Sequence, residues 1–171
     1  MRNLFLFICI VAFQHTFAQS SVFDIARNGS LEDIQQLHKQ HPDTINSVNP
    51  AGYSPLILAC YHSNNEVASF LATHVKDINS NSQYGTPLMA AVVKKNKEMT
   101  AKLLALDADP NIADANETTA LHYAVMFKMP DVVELLVSHD AKPTMKDNRG
   151  FSSLDYASRQ KDKTIYNLLK P

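Results

Sequence analysis

The side chains with most chemistry to offer are seven histidines, two cysteines and 17 carboxylates. Histidine and cysteine at paired spacings would make a zinc site, because several ligands must reach one ion from short stretches of chain. His15, His38, His41, His62, His74, His122 and His139 show none of the spacing such sites use. No glycine-rich phosphate loop, nucleophile motif or paired-carboxylate motif occurs. The sequence therefore predicts a protein that is not an enzyme and needs no metal and no cofactor.

The first residues differ in kind from the rest. Arg2 supplies a positive start, residues 4–13 are almost wholly apolar, and Thr16-Phe17-Ala18 places small residues at both cleavage positions. This is the layout of a secretory signal peptide, expected over residues 1–18 with Gln19 as the new terminus. The apolar run is too short to span a bilayer core of roughly 30 Å. Cys9 does not read as a lipoprotein site, since bulky Ile8 precedes it and apolar residues follow. The expectation is an exported chain, periplasmic or secreted, with no membrane insertion once the leader is cut.

Without Arg2 the chain keeps 15 basic and 17 acidic residues. It has no basic excess to neutralise a phosphate backbone, so no nucleic acid is expected as partner. Cys60 is then the one remaining cysteine, no internal disulfide can form, and a buried apolar role is expected for it. Apolar residues at 45% and charged residues at 19% suit a packed domain whose stability comes from its core.

That core is laid out by repetition. Ser54-Pro55-Leu56-Ile57-Leu58-Ala59 returns as Thr86-Pro87-Leu88-Met89-Ala90-Ala91, Thr119-Ala120-Leu121-His122-Tyr123-Ala124 and Ser152-Ser153-Leu154-Asp155-Tyr156-Ala157. The closing alanines lie 32, 33 and 33 residues apart. A second comb, Asn46, Asn79, Asn111 and Thr144, keeps the same period with spacings of 33, 32 and 33. Between the combs sit Phe70-Leu71, Leu103-Leu104, Leu135-Leu136 and Leu168-Leu169. Asp24, Glu98 and Asp155 fall at repeat-equivalent or solvent-facing places and need no catalytic explanation.

Each element has a mechanical reading. Ser or Thr before Pro starts a helix: the hydroxyl caps free N–H groups, and Pro suits a first turn that needs none. Leu and Ala three residues apart share one face of that short helix. A second helix carries residues such as Val67, Phe70 and Leu71, or Val132, Val133, Leu135 and Leu136. Gly52, Gly85 and Gly150 mark turns before three of the helix starts.

These residues resemble the ankyrin repeat, whose signature is Thr-Pro-Leu-His-x-Ala on a 33-residue period. Thr119 to Ala124 match it most fully, with Ala120 in the Pro place. Asp109-Pro110-Asn111 is similar to the family's Asp-Val-Asn between repeats. The resemblance implies an all-α solenoid of about five stacked helix-turn-helix units with β-hairpin-like turns. The units are a capping repeat at 19–48, repeats at 49–81, 82–113 and 114–146, and a C-terminal capping repeat at 147–171. Three departures are visible. The second hairpin is one residue short, Lys102 stands where Leu is usual, and Glu117 stands where Gly is usual.

The resemblance also implies a function. Ankyrin proteins meet protein partners through a concave face made of hairpin tips and the ends of the first helices. Here the hairpin positions are Tyr53, Tyr84, Thr118 and Phe151. The helix-end positions are Tyr61 and His62, Val93 and Lys94, Met126 and Phe127, then Arg159 and Gln160. Aromatic residues and Met are what interface cores favour. His122 is expected to make structural hydrogen bonds. The chain is therefore read as a monomeric, non-catalytic protein-binding module. An alternative, drawn from similarity to exported bacterial ankyrin proteins, is a stress-protective accessory factor supporting an oxidant-removing enzyme. The sequons at Asn28 and Asn116 matter only in a glycosylating host, and a glycan on Asn116 would crowd the proposed face.

Overall fold

The computed structural model describes residues 21–170, so the expected leader and its cut after Ala18 lie outside the described residues. Helices follow one another in pairs: α1 (Val22–Asn28) with α2 (Leu31–Gln40), then α3 (Pro55–Tyr61) with α4 (Asn65–His74). Next come α5 (Pro87–Val93) with α6 (Lys97–Ala105), α7 (Ala120–Met126) with α8 (Pro130–Val137), and α9 (Ser153–Gln160) with α10 (Lys163–Leu169). First helices pack on first helices along the stack and second helices on second helices, giving two layers. None of the described helices is long and apolar enough to cross a membrane.

Helices of seven to ten residues are too short to stand alone in water, so caps and packing must hold them. Ser54 Oγ accepts the Ile57 N–H at 3.2 Å, Thr86 Oγ1 that of Met89 at 3.3 Å, and Ser152 Oγ that of Asp155 at 3.2 Å. The signature alanines Ala59, Ala91, Ala124 and Ala157 are all completely buried. A methyl group at those places lets the next helix pair approach closely, whereas a larger side chain would hold it off. Leu71, Leu104, Leu136 and Leu169 line the inner side of the second layer.

The asparagine comb turns out to be a set of clamps between repeats. Asn46 Oδ1 accepts the Lys76 N–H at 2.8 Å, Asn79 Oδ1 that of Asp109 at 2.9 Å, and Asn111 Oδ1 that of Lys142 at 2.8 Å. Each clamp satisfies a backbone donor of the next unit that no helix can reach.

The hairpins before the first helices close in a common way. The N–H of Asn49, Asp114 and Asp147 donates to the carbonyl four residues on, at Tyr53, Thr118 and Phe151, each at 3.0 Å. The second hairpin closes one residue sooner, from Ser82 to Gly85 at 3.2 Å. The missing residue thus comes out of this loop, and the helices keep their register. Gly85 takes the pairing place of Tyr53 while turning at φ +103°, and a Cβ there would lie 2.3 Å from Met89 Sδ. Glu117, in the Gly place of its own hairpin, adopts φ +58° despite its side chain.

Candidate partner-binding face

Four large apolar side chains are exposed among the described residues, and three of them lie on the face the sequence singles out: Tyr84 at 62%, Tyr61 at 49% and Phe127 at 39%. The fourth, Val48, stands just before the first hairpin and was not anticipated. Single exposed apolar side chains are ordinary on a protein surface; several gathered on one face mark a candidate interaction surface.

The residues connect from repeat to repeat. Tyr53, from the first hairpin, stacks on Tyr84 from the second, with ring centres 5.4 Å apart and planes 13° from parallel. Tyr61 ends α3, and the Lys94 ammonium lies 5.0 Å above its ring. Lys95 reaches 5.9 Å from the Phe127 ring in the following repeat. Tyr123 and Phe127 have ring centres 6.1 Å apart. In the last repeat Arg159 covers Phe151 at 3.7 Å. Between the last two repeats Asn116, Thr118, Tyr123, Met126, Asn148 and Arg149 line a hollow of about 350 Å³. Cations over aromatic faces contribute modestly in water and more once a partner excludes it.

Not every expected residue offers surface. Thr118 is buried, 5% exposed, its N–H bonded to Asp114 Oδ1 at 3.0 Å; Tyr53 and Phe151 make the equivalent bond, but their larger rings reach further out than the threonine side chain. It contributes to the wall of the hollow and not to an open face. Tyr53 and Phe151 are half-buried, as are Val93, Met126 and Gln160, while His62, Lys94 and Arg159 are exposed. Tyr84 stands one place before the position of Tyr53, which Gly85 fills; the short hairpin therefore carries Tyr84 out to the tip.

Sequence reasoning overlooked Lys95 and Lys128. With Ser63 and Lys161 they occupy the turns after α3, α5, α7 and α9 at φ between +54° and +58°. The signal was present in the repeat register, which spaces these four by 32, 33 and 33 residues. Arg149 was also overlooked; it lies 5.4 Å over the Tyr156 ring.

Two buried groups show that their chemistry is structural. His122 Nδ1 faces the N–H and the hydroxyl of Thr119 at 3.1 and 2.9 Å. That nitrogen must be the acceptor, so Nε2 carries the proton and donates to the Phe151 carbonyl at 3.2 Å. Burial lowers the imidazole's proton affinity and keeps it neutral, against the opposing pull of the Phe151 carbonyl. Burial likewise pushes the Cys60 thiol up to about 12, leaving almost no thiolate near neutral pH.

The stacked two-layer helix pairs, the capped Ser/Thr starts and the hairpins coincide with a family model described as ankyrin repeats (3 copies), matched over residues 22–114 and 100–171. The chain belongs to the ankyrin-repeat family. No curated protein matches it. Ankyrin repeats are generally protein-interaction modules, and the family is typically non-catalytic. Tyr84 lies in a hairpin, and Tyr61 and Phe127 lie at the ends of first helices.

Proposed function

We propose that this ankyrin chain is an exported, monomeric, non-catalytic module that holds a protein partner on the concave row running from Tyr84 and Tyr61 to Phe127 and Arg159. The observation that carries the reading is the exposure of Tyr61, Tyr84 and Phe127 on one face, joined across repeats by stacking and by cations. Three large rings left open to water suit a surface awaiting cover. The leader-like residues 1–18 support export.

A photo-crosslinking phenylalanine analogue placed at position 61, 84 or 127, or at position 39 in α2 as a control, tests this in the native host. One and the same protein should crosslink from 61, 84 and 127 and not from 39. Crosslinking from 39 alone, or to different proteins from each concave position, overturns the reading.

A further inference from the structure

The turns that end the first helices carry mostly positive charge. Residues 61–64, 93–96, 126–129 and 159–162 contain Lys94, Lys95, Lys128, Arg159 and Lys161 against a single carboxylate, Asp162. All five cations are exposed, and none is ion-paired with a carboxylate side chain among the described residues. The whole chain carries net charge −1, so this stripe is a local segregation against the average. Two nearby carboxylates, Asp155 and Asp162, are engaged in helix capping. Asp155 Oδ2 accepts from the Ser152 N–H and hydroxyl at 2.9 and 2.7 Å, and Asp162 Oδ1 accepts the Ile165 N–H at 3.1 Å.

From this stripe we infer that the partner's contacting element is an acidic protein segment whose carboxylates meet the lysines and Arg159 while its apolar side chains cover Tyr61 and Phe127. The inference rests on the concave-face reading above and adds the chemistry of the partner. Charge complementarity carries it: unpaired cations beside exposed rings favour an occupant that supplies both negative charge and apolar surface. A narrow segment fits better than a broad anionic surface. Glu66 and Glu98 follow these turns at the starts of α4 and α6, and Asp131, at the start of α8, is paired with Lys97 at 2.9 Å, so a segment confined to the turns meets less negative charge than a broad anionic surface laid across both.

The test uses the chain from Gln19 onward, immobilised, with a random 16-residue peptide display library as probe. Selected peptides should be enriched in Asp and Glu and should bind less tightly as salt rises. Lys94→Glu with Arg159→Glu should weaken the selected peptides by roughly tenfold or more. Both positions have ordinary backbone angles, and melting curves would verify folding. Lys39→Glu with Lys142→Glu, the same charge change off the stripe, should leave binding unchanged. Neutral or basic selected peptides that lose binding in Tyr61→Ala and Phe127→Ala overturn the acidic assignment and leave the concave-face reading standing. Peptides indifferent to both sets of changes overturn both. Tighter binding of single-stranded oligonucleotides or phosphatidylserine vesicles than of any selected peptide also overturns the proposal.

Discussion

The Tyr156 hydroxyl donates to Asp147 Oδ2 at 2.6 Å, tying the first helix of the last repeat to the start of its hairpin. The other oxygen, Oδ1, accepts the N–H groups of Arg149 and Phe151, each at 3.0 Å. Tyr123 and Asp114 repeat the arrangement one unit earlier, also at 2.6 Å. The first two hairpins begin with Asn49 and Ser82, which accept the turn N–H groups but receive no tyrosine hydroxyl among the described residues. Asp147 and Asp114 therefore brace the C-terminal half of the face.

Burial alone would raise the Asp147 carboxyl, but the Tyr156 hydroxyl, the two amides and the Arg149 guanidinium outweigh it and hold it at about 2. A carboxyl depressed in the folded state contributes stability that is present above its ordinary value of 3.8 and is lost as pH falls toward 2. Asp147→Asn should cost about 1–2 kcal/mol at neutral pH and flatten the loss of stability between these values. Urea unfolding at a series of pH values would measure both. An unchanged acid limb in the variant would show that other carboxylates govern it.

The hairpin turns give a pair of opposite effects. Glu117→Gly should stabilise by about 0.5–1 kcal/mol, since glycine takes a positive φ without steric cost. Gly85→Ala should destabilise by more than about 1 kcal/mol, because its Cβ meets Met89 as well as an unfavourable φ. Thermal melts decide the matter; two shifts of the same sign would contradict this account of the turns.

Cys60 should label only when the stack opens. A mild thiol reagent should react with the native protein far more slowly than with the denatured chain, in step with unfolding. Equal rates would mean that the thiol is not enclosed.

The repeat itself was readable because one period governs both combs, and each position answers to a local cause: a capping hydroxyl, a packing leucine, an alanine of close approach. The asparagine comb was readable as a period and not as a mechanism, since Asn46, Asn79 and Asn111 act on the following repeat and their bonds exist only after stacking. The exposure of the hairpin and helix-end residues was readable in part. Thr118 fell short because register places a residue at a hairpin position without saying whether its side chain is long enough to reach the surface there. Tyr84 is exposed but stands one place before the hairpin position assigned to it, because a shortened loop does not announce which residue it has dropped. Lys95 and Lys128 escaped notice because a turn residue's direction depends on a positive φ that lysine rarely adopts.

The central claim is that exposed aromatics on the concave side bind while buried residues of the same repeats hold the fold. The most direct measurement is the dissociation constant of the crosslinked partner for Tyr61→Ala, Phe127→Ala and Leu121→Ala, each paired with a thermal melt. Truncating either exposed ring should weaken binding by about thirtyfold, equivalent to about 2 kcal/mol, with the melting temperature nearly unchanged. Leu121→Ala should lower stability by about 2–5 kcal/mol and leave the folded protein's affinity intact. Early melting with normal affinity in Tyr61→Ala and Phe127→Ala would contradict the account and send the search for the binding face to the outer helices.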